Sequence, residues 1–377
     1  MKILVTAEAF GYGPIATCLN VVKELKKYSV VKMTFLGTGI ALEQAKMTNY
    51  FDTLLECKTF DYEALERARE LFLGHDVILS FENIPGAAYA LKIGLKNVYY
   101  IDNLMWMWDK LHDGLENLKG YVISETLNCE NNFKRIGSNI QNPIFVGPIR
   151  DMSIRDKGKK ESKLIINVGG AEAFIINSDL VKSFYNKLIN NILLSKPLMN
   201  KFEKIIVCGG SGVIDNLDLN NKNPKIIVKT LANEEYLKEL DTCSHCIMAS
   251  GLGNFFETLW RDKEIMYLPP VNYSQLLQLD YYKNMNFGFQ MVNWDKFDFF
   301  KDIPSLLNEE VGVNMVLENV KKYINESDSK TILRTIDDFL NFSQEEHYGV
   351  RKDFANSLKK DAAKEIATMI YEDNKEV

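Results

Sequence analysis

Ser250-Gly-Leu-Gly-Asn-Phe-Phe-Glu257 lies between two apolar runs, His245-Cys-Ile-Met-Ala249 and Glu264-Ile-Met-Tyr-Leu-Pro-Pro270. That order spells a buried strand, a glycine-rich turn, a helix ending near Arg261 and a second buried strand. Gly251 and Gly253 let backbone N–H groups come close to a ligand, and the helix that follows turns its positive end toward it. Ser250, Gly251, Leu252 and Gly253 therefore read as a cradle for a diphosphate. Glu257 falls about one to two turns into the helix. A carboxylate beside a phosphate site suits a ribose, because it accepts from both hydroxyls while the amides hold the phosphates.

Working outward, Lys163-Leu-Ile-Ile-Asn-Val168 is another strand, closed by Gly169-Gly170. Lys204-Ile-Ile-Val-Cys208 runs into Gly209-Gly-Ser-Gly212, and Lys225-Ile-Ile-Val-Lys229 into Thr230-Leu-Ala-Asn233. Three strand–turn elements with small residues make a stronger phosphate signal than a lone glycine motif, and they add Gly169, Gly170 and Gly210 to the set. No Gly-Lys-Ser/Thr closes any of these turns, and none carries the full dinucleotide pattern. A nucleoside diphosphate fits them better than ATP hydrolysis or NAD. Beyond Pro270, Asn272-Tyr-Ser-Gln275 opens a further helix, where the Gln275 amide can donate to and accept from sugar hydroxyls.

The first half repeats the grammar. Lys2-Ile-Leu-Val-Thr6 feeds the turn Ala7-Glu-Ala-Phe-Gly-Tyr-Gly-Pro14, and Ile15, Leu19, Val22 and Leu25 then share one helical face. Strand-like runs at Val30–Leu36, Asp76–Phe81, Asn97–Ile101 and Tyr121–Ser124 alternate with helical segments such as Asp61–Leu73 and Pro85–Ile93. This predicts a parallel sheet covered on both faces. Ligands collect at the carboxyl ends of such strands, where Glu8, Glu82, Asp102 and Glu125 stand. Asp102 ranks first as a general base and Glu8 second, because Trp106 and Trp108 follow Asp102 and can line a pocket for a sugar or an apolar acceptor. The same rings serve equally well to pack this segment onto the sheet.

Asn142-Pro143, Gly147-Pro148 and the charged run Arg155-Asp-Lys-Gly-Lys-Lys-Glu-Ser162 read as a linker. It separates an N-terminal Rossmann-like domain (1–150) from a second one (151–345). A C-terminal piece (346–377) carries a helix over Phe354–Tyr371 that can dock on either domain. The 377 residues, 46% hydrophobic and 25% charged, are those of an ordinary globular protein. A net charge of −6 argues against a nucleic-acid partner. No apolar run reaches the length of a membrane span or a signal-peptide core, so a cytoplasmic location is expected, with peripheral membrane contact compatible. Cys243-Ser-His-Cys246 has the spacing of half a metal site, yet no second pair follows it, so a structural role is the better reading.

From Lys163 to about Gln290 the chain resembles GT-B glycosyltransferases, in particular the family 28 group. That group includes the bacterial transferase adding N-acetylglucosamine to the lipid-linked peptidoglycan precursor. The likeness rests on Asn167-Val-Gly-Gly170, Cys208-Gly-Gly-Ser-Gly212, Ala249-Ser-Gly-Leu-Gly253 with Glu257, Leu268-Pro-Pro270 and Gln275. It implies an α/β protein of two Rossmann-like domains facing a cleft. The implied reaction moves a sugar from a nucleotide-sugar, a UDP-sugar first, to a small-molecule or lipid-linked acceptor, with inversion and without a bound metal or other cofactor. It places Glu257 on the ribose, Ser250 and Gly251 on the diphosphate, Gln275 on the transferred sugar, and Leu231 and Ala232 against the base. Acceptor contacts fall to the N-terminal domain, at Tyr12, Trp106 and Trp108. One departure matters. Relatives often place a histidine in the first glycine turn, whereas Gly11-Tyr-Gly13 stands here and the four histidines lie elsewhere. That moves the base to a carboxylate, and it keeps two alternatives open: a UDP-sugar epimerase of the same architecture, and a non-catalytic nucleotide-sugar-binding partner.

Overall fold

A computed structural model describes residues 1–151, 160–170, 178–326 and 329–376. The chain divides into two compact units, Met1–Asp151 with Leu358–Val377, and Met152–Ser357. Most of the expected charged linker, residues 155–159, lies outside the described residues.

The first unit holds seven strands: β1 (Lys2–Ala7), β2 (Lys32–Gly37), β3 (Thr53–Glu56), β4 (Val77–Phe81), β5 (Val98–Asp102), β6 (Gly120–Ser124) and β7 (Pro143–Val146). They form one parallel sheet in the order β3-β2-β1-β4-β5-β6-β7. Successive side chains of a strand point to opposite faces, and each face has its own core. Ile3, Val5, Phe35, Leu79 and Ile101 meet Ile15, Cys18 and Val22 of the helix Gly13–Leu25, together with Ile366 and Ile370 from the C-terminus. Leu4, Ile78, Tyr100 and Tyr121 meet Leu65, Phe72, Ala87 and Ala90 on the other face. Strands buried on both faces need no polar alternation, which is why they read as continuous apolar runs.

The second unit holds β8 (Lys163–Asn167), β9 (Lys204–Cys208), β10 (Ile226–Lys229), β11 (His245–Met248), β12 (Glu264–Tyr267) and β13 (Gln290–Met291). Its parallel sheet runs β10-β9-β8-β11-β12-β13. Each sheet therefore has a topological switch point, between β1 and β4 in the first and between β8 and β11 in the second. Open α/β sheets bind ligands at such points, outside the strands' carboxyl ends.

Two expected helices are broken. Asp61–Leu73 splits at Ala68 into Tyr62–Arg67 and Arg69–Leu73. The expected Phe354–Tyr371 is two helices, Tyr348–Ser357 and Ala362–Asn374, with Asp361 between them at φ 62°. A left-handed residue ends one helical path and starts another. The break falls where the chain passes from the second unit to the first, since Leu358–Val377 clusters with the first. The helix Ala362–Asn374 then stacks Tyr371 on Tyr28 at 4.1 Å.

Candidate functional site

At the second unit's switch point, four side chains bind the strand ends to the following helix. Asn167, closing β8, accepts from the Gly169 N–H at 2.8 Å and donates to Asn254 Oδ1 at 3.1 Å. Tyr236 also donates to Asn254 Oδ1, at 2.9 Å, while Asn254 Nδ2 donates to the Ala249 carbonyl at 2.8 Å. Asn254 belongs to the helix Leu252–Leu259, so this one amide fixes the helix start against the ends of β8 and β11. Thr258 completes the arrangement by donating to the Asn254 carbonyl at 2.8 Å.

The glycines here do two different jobs. Gly169 sits at φ +71°, in the left-handed region open to glycine, and its carbonyl accepts from the Gly210 N–H at 2.9 Å. A Cβ on Gly209 would stand 2.3 Å from Val168 Cγ2 and 2.8 Å from the Gly169 carbonyl oxygen, so this turn is closed by packing. A Cβ on Gly251 would meet nothing within 4 Å. Gly251 precedes a helix that no side chain caps and whose first turn holds no acid. The helix Asn233–Thr242, which follows Leu231 and Ala232, carries Glu234 and Glu235 in its first turn. Acids there offset the positive end of a helix dipole, so an anion is better received beyond Gly251 than beyond Ala232.

Glu257 is only 5% exposed. It lies near Tyr236, whose hydroxyl is held protonated by burial first and by the Glu257 charge second. Ser250 is fully buried and spends its hydroxyl on the Gln275 carbonyl at 3.1 Å, so its side chain does not reach a phosphate and only its backbone can. Gln275 is half-buried, and its Oε1 accepts from the Val271 N–H at 3.0 Å.

The first unit's switch point is built from charge. Glu8 follows β1 and accepts from Asn83 Nδ2 at 2.7 Å. Asn83 also donates to Thr59 and caps the helix Ile84–Lys92 by accepting from the Gly86 N–H. Glu82 follows β4 with a left-handed backbone at φ 54°, a conformation that costs a non-glycine residue about 1–3 kcal/mol. Asn103, just after β5, donates to Glu82 Oε1 at 2.5 Å and to Thr17 Oγ1 at 2.9 Å. Arg150 Nη1 donates to the same Thr17 oxygen at 2.5 Å. Burial pushes the Glu82 carboxyl up to about 7; Asn103 opposes this, the charges of Asp102 and Glu8 add to it, and Arg150 opposes it. Glu8 is raised too, by burial, with Asn83 pulling the other way. Gly11 and Gly13, flanking Tyr12 ahead of the helix Gly13–Leu25, leave open space where a Cβ would stand.

Asp102, ranked first as a base from the sequence, is held differently. It is fully buried and accepts from the Leu104 N–H at 2.6 Å, Trp108 Nε1 at 3.1 Å and the Tyr121 hydroxyl at 2.8 Å. Three donors take up three of the carboxylate's roughly four acceptor sites. Burial still lifts it to about 6, against the pull of those donors. Trp108 is likewise committed inward, while Trp106 is half-buried. Glu125 pairs with Lys359 at 2.6 Å.

Solved structures of like architecture span the whole chain. MurG of Acinetobacter baumannii matches with a TM-score of 0.51 at 10% identity, covering 99% of this chain and 100% of its own. Arabidopsis thaliana UGT89C1, complexed with quercetin, matches at 0.52 and 12% identity over 100% of this chain and 98% of its own. A Polygonum tinctorium UDP-glucosyltransferase capable of glucosylating indoxyl, in complex with 3,4-dichloroaniline, matches at 0.52 and 10% identity over 99% and 98%. The fold is GT-B. No family model matches the sequence, and no curated protein does. At such identities the GT-B likeness fixes architecture and leaves the chemistry to this chain's own residues.

Within the GT-B frame, Gly169, Gly210 and Gly251 converge on the second switch point, with Glu257 on the helix beside them. Asn254, Tyr236 and Asn103 went unread in the sequence, because a single amide or phenol has no spacing signature. Cys243 and Cys246 bring their sulfurs within 3.4 Å, fully buried, and no cluster of three metal-ligating side chains occurs among the described residues. His245 lies edge-on to Phe202 and Phe339 and is pushed down to about 3, by burial first and then by Lys201 and Lys160, which keeps it a neutral core residue. No helix among the described residues is long and apolar enough to cross a membrane.

Proposed function

We propose that this protein is a glycosyltransferase using a nucleotide-sugar, a UDP-sugar first, with the donor on the second unit and a small-molecule or lipid-linked acceptor on the first. The observation that carries the reading is the helix start beyond Gly251: open, uncapped, free of acids and seated at the switch point of a parallel sheet. Such a helix start receives phosphate through its amides and its dipole. Glu257 takes the ribose hydroxyls, Gln275 the sugar, and Leu231 with Ala232 the base.

Glu82 is the group we assign to take the acceptor proton, in place of Asp102. A carboxyl near 7 holds a proton weakly enough to exchange it at neutral pH. The acceptor O–H (or N–H) passes its proton to Glu82 and the heteroatom attacks the anomeric carbon. The bond from that carbon to the diphosphate oxygen breaks on the opposite face, so the configuration inverts. The amides beyond Gly251 meet the charge growing on the departing diphosphate, and no metal takes part in the proposed step. Glu8 stands beside Glu82 as the second carboxylate.

Calorimetry with UDP tests the donor half. Glu257→Ala is expected to weaken UDP binding about tenfold, the worth of one hydrogen bond to a charged group; unchanged affinity removes the ribose assignment. Incubation with UDP-N-acetylglucosamine and no acceptor separates the alternatives, because only an epimerase changes the sugar. Binding without turnover in an acceptor screen identifies a non-catalytic partner.

A further inference from the structure

Asn83, fully buried, follows Glu82 directly and caps the helix Ile84–Lys92. Both ends of its amide are engaged. Oδ1 accepts from the Gly86 N–H at 3.1 Å, while Nδ2 donates to Glu8 Oε2 at 2.7 Å and to Thr59 Oγ1 at 3.0 Å. Turned over, the amide would set its NH2 group against the Gly86 N–H and its oxygen against the Glu8 carboxylate, so the orientation is fixed. The main chain is tied as well. The Asn83 carbonyl accepts from Ser80 Oγ at 2.6 Å, and Thr6 Oγ1 donates to that Ser80 oxygen at 3.2 Å. The corner that carries Glu82 in its left-handed conformation is thus held from β1, from β4 and from the helix start together.

Gly86 shows how closely the amide is seated. A Cβ there would stand 2.1 Å from Asn83 Oδ1 and 3.3 Å from Thr6 Oγ1. Gly86 lies within the helix and is not among the glycines of positive φ. Its backbone does not call for glycine, which is a poor helix former, and the space a side chain would take is filled by the Asn83 amide. Capping alone does not require the NH2 group, since Ser and Asp cap as well. That group is the end that reaches Glu8.

The charged groups near Glu82 are Glu8 after β1, Asp102 at the end of β5 and Arg150 beyond β7. The Tyr100 phenol on β5 is kept protonated, by burial first and then by those carboxylates. Glu8 is met by neutral donors, Asn83 and the Ala9 N–H, which favour its charged form against burial. Glu82 has a donor too, Asn103, yet it is buried where Glu8 is half-buried, so the pair is unequal. A donor to a carboxylate stabilises the anion, and an anion at Glu8 makes Glu82 hold its proton longer.

We propose that Asn83 is a positioning residue: its amide, seated in the space left by Gly86, holds the Glu8 carboxylate in place as the charged member of the pair and leaves Glu82 as the member that carries the exchangeable proton. The inference rests on the assignment of Glu82 as the group that takes the acceptor proton.

Carboxyl NMR of the full-length, glutamate-labelled protein follows both groups through a pH titration. Their resonances are identified by their loss in Glu8→Gln and Glu82→Gln. Asn83→Ser keeps a capping residue and removes the NH2 group. Losing a donor to the anion is expected to raise the Glu8 midpoint by about one pH unit, the worth of one hydrogen bond to a charged group. The Glu82 midpoint then falls, by no more than in Glu8→Gln. Gly86→Ala, which displaces the amide without removing it, is expected to move both midpoints in the same directions. Added to Glu8→Gln, Asn83→Ser leaves Glu82 where it was. An unchanged or lowered Glu8 midpoint in either variant overturns the proposal, as does a Glu82 shift that persists in the Glu8→Gln background. Turnover is measured in parallel. If no acceptor reacts, the transfer reading fails while the titrations still decide the role of Asn83. If the midpoints stay put while Glu82→Gln abolishes turnover, the role of Asn83 fails alone.

Discussion

The two switch points share a topology and almost nothing else. Between β1 and β4 the chain gathers carboxylates, Glu8 and Glu82, with Asn103, Asn83 and Arg150 around them. Between β8 and β11 it gathers amides and glycines, with Asn254 at the hub and an acid-free helix start facing open space. The first suits a group that must lose a proton, the second a group that arrives with negative charge. The fold decides where a ligand sits, and the residues at the strand ends decide what it is.

The contrast breaks most visibly at Glu82. Glu82→Gln is expected to lower turnover by about 10² to 10⁴, as losing a general base does, and to erase the limb of the pH–rate profile near 7, while UDP affinity stays unchanged. Turnover within a few-fold of wild type returns the base to another residue.

The second pair of tests separates glycines that close a turn from those that open a site. Gly209→Ala drives a methyl into Val168 and the Gly169 carbonyl and is expected to destabilise the protein by about 1–3 kcal/mol, read by urea unfolding. Gly251→Ala meets no protein atom, so its melting temperature is expected to match wild type. Its methyl occupies the space assigned to phosphate, and UDP binding should fall about tenfold, a loss of about 1.4 kcal/mol. A Gly251→Ala protein that binds UDP as wild type does would place the diphosphate elsewhere.

The smallest expected effect sharpens the first site. The Glu8 charge raises the Glu82 carboxyl, so Glu8→Gln removes a like charge and should shift the acidic limb of the profile to lower pH, by roughly half a unit. A shift to higher pH, or none, means the two carboxylates are not coupled.

Much of the fold was legible because strands buried on both faces leave apolar runs, and the turns between them leave glycines. Short edge strands were not: β3 (Thr53–Glu56) is largely exposed and β7 (Pro143–Val146) begins on a proline. The helix breaks at Ala68 and Asp361 escaped as well, since periodicity continues across them. In the site, the glycine turns and Glu257 were read from spacing, whereas Asn254 and Asn103 were not. Each acts through a neighbour distant in sequence, Asn167 at the end of β8 in one case and Thr17 on the helix Gly13–Leu25 in the other.

Taken alone, the sequence determined the order of strands and helices, the parallel sheets that follow from it, and the loops where backbone amides can meet a ligand. Those features are local, written in periodicity and in residues that permit particular dihedral angles. Which carboxylate is poised and which is spent was decided only in three dimensions. Glu82 and Asp102 both end apolar strands, and nothing in their flanks separates them. The tertiary structure gives Asp102 three donors and Glu82 one asparagine beside a second carboxylate, because β1, β4 and β5 lie side by side while Tyr121 reaches in from β6. A carboxylate's chemistry is set by the neighbours that solvate it in place of water, and those neighbours are chosen by the fold.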